Sequence, residues 1–441
     1  MFDLRRAREL LEAARDMQRR ALAAQAAEPA QAGRLYAEAI AQLHAAAQAP
    51  DAPSDALRLL AAALMETGNL AAATPVLERA AAQPGRSAGL LVELGTLYLG
   101  LARQGEARRC FEDALVLDPG HAAAHASLAV ALLGAGNFAR GWDEYEWRLR
   151  TGFDATPRGA MPYAPCDGPV AQSNVFVGSE QGIGDEIMFA SCFADLIADS
   201  GRCVLECSGR LLPLFARSFP AAQVIARNRS AWPDRERTGD VDCGIWAGSL
   251  PRLYRRAADA FRGDPYLRPD TALVERWRVK LDALGARVRV GLAWSGGLPE
   301  TGRAQRSLPL AALAPLFELP DTAFVSLELM DRSAEAREVS VRGGAKLQHW
   351  QGVAADPERL AALIGALDLV ICVPNASAHL AGAIGKEAWV LVAGAPTWRY
   401  LWQGDRVPWY RTMRVLRRGP DEALVQWIPG VRDRLARHFG L

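Results

Sequence analysis

Four stretches in the second half of the chain bring polar side chains to places where chemistry is done. The first is SEQGIGDE, residues 179–186, which follows the apolar run 175–177. Gly182 and Gly184 permit a left-handed backbone or the close approach of another group. Asp185 then stands at a helix start, beside Glu180 and Gln181 in the loop. A carboxylate there caps the helix and favours its positive end, and one that faces a cleft can also accept a proton. The spacing is neither GxGxxG nor a P-loop, so no dinucleotide or ATP is implied. The second stretch, 290–313, ends a strand at Trp294, opens a glycine loop at Ser295 and carries Arg303 and Arg306 just before Ser307. Two guanidinium groups at a strand end can clamp a diphosphate, and a solvated basic loop would show the same pattern. The third stretch, 368–392, runs from a buried strand through Pro374 into Asn375, Ala376, Ser377 and His379 at a second helix start. Unpaired N–H groups at such a start bind anions, while Asn and Ser are also ordinary caps. The fourth stretch, 395–418, holds Trp398, Tyr400, Trp402, Trp409 and Tyr410. Aromatic rings in that number can floor a base or sugar site, or pack one domain end onto its neighbour.

These stretches need a scaffold, and the pattern of short apolar runs supplies one. Strands are expected over NVFVG, RCVLEC, AQVIA, VRVGLAW, TAFVSL, DLVICV and EAWVLV. Helical patterns fall between them, including one over 185–199 and one over PLAALAPLFEL, and the stretch 228–286 is irregular. Strands alternating with helices predict parallel sheets covered on both faces. Two such runs predict two doubly wound lobes, 173–270 and 271–420, with a ligand crevice between them. A final amphipathic helix over 421–441 is expected to cross back to the first lobe.

Residues 1–155 read as helix throughout, and 156–172 as a Gly- and Pro-rich linker. A 34-residue step links Gly68, Ala102 and Gly136, and likewise Leu77, Phe111 and Tyr145. In the clearest copy Leu91, Leu94, Gly95 and Tyr98 mark one helix, and Ala107, Phe111 and Ala114 the next. Small residues at Gly95 and Ala107 let the two helices approach. A weaker copy over about 20–53 keeps Ala39, Leu43 and Ala46 in register. This pattern resembles the tetratricopeptide repeat (TPR) closely. A solenoid of that kind offers a concave face for a protein or peptide partner, or serves as a short scaffold or dimerisation element.

The totals narrow the function class. Lys and Arg number 51 against 50 Asp and Glu, so no net field points to nucleic acid or an anionic surface. Seven scattered cysteines without CxxC or Cys/His spacing are expected to be reduced thiols of a cytoplasmic protein. No apolar run reaches membrane-spanning length, and the charged N-terminus does not read as a signal peptide.

Together and in this order the motifs of 170–420 resemble the glycosyltransferase half of bacterial TPR proteins. That half is related to the heptosyltransferases of glycosyltransferase family 9 and is distantly similar to the O-GlcNAc transferases. The motif E-Q-G-x-G-D-x-I-x-F stands as Glu180, Gln181, Gly182, Gly184, Asp185, Ile187 and Phe189, and A-H-L-A-G-A-x-G runs from Ala378 to Gly385. APTWRYL and PWY also match. The resemblance implies an α-helical TPR solenoid followed by an α/β GT-B module of two Rossmann-like lobes, with the second lobe holding a nucleotide-sugar donor. It implies no metal and no cofactor beyond that donor, inversion at the sugar, and Asp185 as the base that activates the acceptor. It further implies a donor diphosphate held by Arg303, Arg306, Ser307 and the helix start at Asn375, Ala376, Ser377 and His379. Two places depart from the family pattern. Pro374 and Asn375 replace an Asp-Thr pair, and the middle loop loses an Asn, a His and an Asp while keeping Arg306 and Ser307. Two functional readings follow: a metal-independent glycosyltransferase acting on a protein recruited by the repeats, or a non-catalytic scaffold whose donor site has degenerated.

Overall fold

The structure, a computed structural model, describes residues 29–49, 52–152, 160–166, 168, 170–228, 230–297, 306–337, 347–394, 397–419 and 422–441, with isolated positions 5, 8, 9, 12 and 16. The chain divides into two compact units, Met1–Leu133 with Asp143–Thr151, and Gly134–Trp142 with Gly152–Leu441.

The first unit is built of helix pairs: α1 (Pro29–Ala47), α2 (Ser54–Glu66), α3 (Leu70–Ala81), α4 (Ala88–Gly100), α5 (Gln104–Leu117) and α6 (Ala122–Gly134). In α7 (Phe138–Tyr145) the residues up to Trp142 count with the second unit. The starts Ser54, Ala88 and Ala122 recur at the expected 34-residue step, as do Leu70, Gln104 and Phe138. Each pair turns through a left-handed residue at Gly68, Ala102 or Gly136, so the repeat is written in backbone geometry as well as in side chains. A Cβ on Gly95 would lie 2.4 Å from the Phe111 ring, which is why α4 and α5 need glycine at their contact. Ala39, Leu43 and Ala46 are buried on α1, the second helix of the weaker copy. The earlier part of that copy lies outside the described residues.

The second unit holds two parallel sheets. The first comprises β1 (Asn174–Gly178), β2 (Arg202–Cys207), β3 (Gln223–Ala226) and β4 (Cys243–Trp246), in the order β3-β2-β1-β4. The second comprises β5 (Val288–Ala293), β6 (Thr322–Ser326), β7 (Leu347–Gln348), β8 (Leu369–Cys372), β9 (Ala388–Val392), β10 (Arg406–Val407) and β11 (Tyr410–Arg417). Its order is β10-β11-β9-β8-β5-β6-β7, and only the short edge strand β10 is antiparallel. The covering helices used below are α8 (Ile183–Phe189), α9 (Phe193–Asp199), α10 (Leu212–Ser218), α11 (Thr271–Asp282), α12 (Pro357–Ala366), α13 (Ala376–Ala383) and α14 (Leu424–Phe439). No helix among the described residues is long and apolar enough to cross a membrane. The fold is thus a TPR-type helical region followed by a Rossmann-like, two-lobed module.

Several local expectations are corrected. The single helix expected over 185–199 is two helices, α8 and α9, joined by the tighter turn Ala190–Cys192. The segment Leu310–Glu318, expected as an α-helix, is a 3-10 helix with Pro315 inside it. Helix α14 does not cross to the first lobe. Its stripe Trp427, Ile428, Val431 and Leu435 enters the core of the second sheet with Leu313, Leu316 and Leu391.

The expected linker ends in a strap. Cys166 donates its N–H to the Gly244 carbonyl, and Gly244 donates to Ala164, so the strap adds to the free edge of β4. Tyr163 packs its ring on Phe176 at 4.9 Å. Cys166 and Cys243 form a disulfide across this edge, which corrects the expectation that all seven thiols are reduced. Nothing in the 77-residue separation announces the pair, which meets only because the strap runs along β4. Cys110, Cys192, Cys203, Cys207 and Cys372 are free.

Candidate active site

The carboxyl ends of the two sheets meet where ligands bind in open α/β folds, and helices α8 and α13 start there. Three buried carboxylates fix the loop after β1. Glu206, on β2, accepts hydrogen bonds from the Ser179 N–H at 3.2 Å and its hydroxyl at 3.3 Å. Glu180, fully buried, accepts from the Gly248 N–H at 2.7 Å. Glu186 accepts from the Ser208 N–H at 2.7 Å and pairs with Arg227 at 3.4 Å. Burial is the largest influence on Glu186 and pushes its carboxyl up to about 7. Glu180 is therefore a buried anchor of the loop.

The backbone solution differs from the expectation at the glycines. Gly182 is extended, with φ −99°, and the left-handed residue is its neighbour Gln181, at φ 61°. A side chain in that region costs energy and tends to mark a functional constraint. Gly184 serves close approach: a Cβ there would lie 3.2 Å from the His379 ring and 3.4 Å from the Ala376 Cα. Helix α8 of the first lobe therefore rests its first turn against the first turn of α13 in the second.

Asp185 stands in this contact. Its Oδ2 accepts a long 3.4 Å hydrogen bond from the Gly182 N–H, so it closes its own helix start as a cap. Its Oδ1 accepts from Arg399 Nε at 2.6 Å and lies 2.5 Å from Nη2 of the same guanidinium. Arg399 also donates to the Gln181 side-chain carbonyl at 3.3 Å and lies over the Trp398 ring, 4.6 Å from its centroid. Sequence reasoning missed Arg399, which sits inside APTWRYL among aromatic residues that drew attention first. The available signal was a charged residue in a loop directly after a buried strand.

The second lobe brings part of its expected set to the same place. Arg306 is half-buried. Burial is the leading cause that holds its guanidinium below its ordinary value, and the charge of Arg399 is the next. Gly296 fits beneath it, since a Cβ there would lie 2.5 Å from the Arg306 Cβ. Arg303 lies outside the described residues. Ser307 accepts the Gly296 N–H at 2.9 Å, and this bond ties the loop to itself. Glu328, buried, accepts the N–H groups of Trp294 and Ser295 at 2.7 and 2.8 Å. Trp294, at the end of its strand, is a core residue.

At α13, Asn375 is the cap: its Oδ1 accepts the Ala378 N–H at 3.2 Å and its Nδ2 donates to the Ser295 carbonyl at 3.1 Å. Ala376 is exposed at the tip, and Ser377 is buried. His379 is buried between two tyrosines, with Nδ1 3.1 Å from the Tyr410 hydroxyl and Nε2 3.4 Å from that of Tyr400. Burial depresses it from 6.5 to about 4, so it is neutral near pH 7 and supplies no cation to a phosphate. The aromatic stretch packs rather than lining an open floor. Trp398 and Trp409 meet the Trp142 ring edge-on at 5.5 and 6.1 Å, Phe138 meets Phe261, and the Trp402 ring covers Gly134. An open depression of about 700 Å³ near Tyr163, Arg235 and Asp242 lies at the N-terminal ends of β1 and β4, the opposite end from this site.

These features define a TPR-type repeat protein with a Rossmann-like, two-lobed α/β module. Comparison with known proteins gives the following. No family model matches the chain. It is 32% identical over 301 residues to Protein FlbA of Caulobacter vibrioides, covering 65% of this chain and 50% of that protein. The chain thus spans about half the length of this curated relative. Among solved structures it is similar to E. coli ADP-heptose LPS heptosyltransferase II, with 14% identity, 60% of this chain, 98% of that one and a TM-score of 0.44. It is also similar to a Thermobaculum terrenum O-GlcNAc transferase mutant, with 16% identity, 99% of this chain, 93% of that one and a TM-score of 0.30.

Proposed function

We propose that this chain is a metal-independent, inverting glycosyltransferase that moves a sugar from a nucleotide-sugar to a protein acceptor docked on its repeats. The observation that carries the reading is the convergence of Asp185, Arg399, Arg306 and the start of α13 from both lobes on one point. The acceptor oxygen attacks the anomeric carbon, and its proton passes to the Asp185 carboxylate. The carbon–oxygen bond to the diphosphate breaks, and its electron pair leaves on that group. Arg306 and the first-turn N–H groups of α13 other than that of Ala378, which Asn375 caps, meet the growing charge.

Melting the full chain with UDP, GDP, CMP and dTDP, and with their sugars, tests the donor side. A ligand at one hundred times its dissociation constant adds about 2.7 kcal/mol. Asp185→Asn is expected to lower transfer by about 10²- to 10⁴-fold and to keep nucleotide binding. If no nucleotide or nucleotide-sugar raises the melting temperature, the reading fails.

For the acceptor, a chain cut before Ala122 keeps α7 and its aromatic contacts. It is expected to lose transfer to a protein and retain transfer to a small acceptor. One observation favours a second reading, a non-catalytic scaffold: Ser307, Asn375 and His379 all spend their side chains on bonds within the protein. The same nucleotide titration separates the two.

A further inference from the structure

The contact between Asp185 and Arg399 closes the cleft on itself. One oxygen of the carboxylate takes both of the nearer guanidinium nitrogens. Gln181, held left-handed, turns its amide carbonyl onto the same guanidinium. Arg306 is close enough for its charge to be disfavoured by Arg399 and favoured by Asp185. Two guanidinium groups therefore stand near the Asp185 carboxylate at this point of the cleft, and cations so placed attract anions. Arg399 is suited to move between partners. Its guanidinium lies over the face of Trp398, a contact less directional than a hydrogen bond. A planar fork of five donors serves a phosphate as well as a carboxylate.

We propose that Arg399 is a shared arm: it holds Asp185 in the empty cleft and passes to the donor's diphosphate when that is bound, releasing the carboxylate toward the acceptor. This rests on the glycosyltransferase reading above and adds an order to it, donor before acceptor. Arg399 is then a positioning residue for the base as well as an anion ligand, and the two ligands compete for it.

Competition has a signature that a purely structural ion pair lacks. The probe is inorganic pyrophosphate, titrated by calorimetry into the full-length protein. Asp185→Asn is expected to bind pyrophosphate about tenfold tighter than the natural chain, since the competing charge is gone. Arg399→Ala is expected to bind it about tenfold more weakly. In the Arg399→Ala background, Asp185→Asn is expected to change the affinity by no more than about twofold, because the coupling runs through the arm. Arg399→Gln, which keeps most of the side chain's packing, replaces Arg399→Ala if the latter does not fold. The proposal is overturned if Asp185→Asn leaves pyrophosphate binding unchanged or weaker, or if the tightening is the same with and without Arg399. Wild-type protein that binds neither pyrophosphate nor any nucleotide overturns the glycosyltransferase reading as well. Wild-type binding without the tightening overturns the shared arm alone.

Discussion

The starts of α8 and α13 meet across the cleft and solve one problem in opposite ways. The cap of α8 is Gly182, which has no side chain, and the carboxylate of Asp185 reaches back to its N–H. The cap of α13 is Asn375, whose side chain reaches forward to Ala378. The first turn of α8 carries Asp185 and Glu186, whereas that of α13 carries no acid. One position further, Glu186 and His379 are both buried and both driven toward their neutral forms, the one raised to about 7 and the other lowered to about 4. Helix α8 thus furnishes its own anion, and α13 leaves its positive end to one from outside. On the proposed function, the difference separates a helix start that presents a base from one that receives a leaving group.

The largest expected effect that tests this contrast is on the His379 side. His379→Ala removes a buried ring and its contacts to Tyr400 and Tyr410, a loss of about 4 kcal/mol, read by denaturant unfolding. The imidazole also shapes the acid limb of stability. Its folded value lies below 6.5, so the unfolded chain binds the extra proton first. The stability it contributes is whole above about pH 6.5 and is lost as pH falls through about 4. In His379→Ala that slope is expected to vanish.

Glu186 makes the mirror-image prediction. Its folded value is raised from 4.5, so its contribution is whole below 4.5 and is lost as pH rises through about 7. Glu186→Gln is expected to match the natural chain near pH 4.5 and to exceed it at pH 8 by on the order of 2–3 kcal/mol. Equal pH profiles would show that Glu186 stays ionised through its contact with Arg227. A smaller effect is expected of Asn375→Ala, which loses a cap worth about 1 kcal/mol. It also leaves the Ser295 carbonyl without the Asn375 donor.

Much of this was legible in the chain. The 34-residue step fixed both helix starts of three repeats, because it rests on small residues at obligatory contacts such as Gly95. The seven strands read as apolar runs are all present. Strands β4, β7, β10 and β11 were not legible, for physical reasons. β7 and β10 are two residues long, and β4 is four residues with a glycine. β11 alternates Arg and Thr with apolar residues and so reads as surface. At the site, Asp185 and the cap Asn375 were visible as helix-start residues, since capping is local. The partner Arg399 was not, because it lies 214 positions away and is placed only by the meeting of the two lobes. Of the two options the glycines offered, close approach holds at Gly184, while the left-handed residue is Gln181, whose bond to Arg399 is tertiary and so not legible locally.

The smallest expected effect is the sharpest test of the comparison, because stability and binding should move in opposite directions. Ala376 is the first residue of α13 and is exposed, with its backbone close to Gly184 of α8. Ala376→Asp gives α13 the acid that α8 already has. An acid in a first turn favours the helix by about 0.5 kcal/mol, a rise in melting temperature of a degree or so at low salt. The same charge stands where the donor's diphosphate would sit, and pyrophosphate affinity is expected to fall about tenfold. If stability rises and pyrophosphate binding is unaffected, α13 is only a well-capped helix, and the anion it awaits must be placed elsewhere.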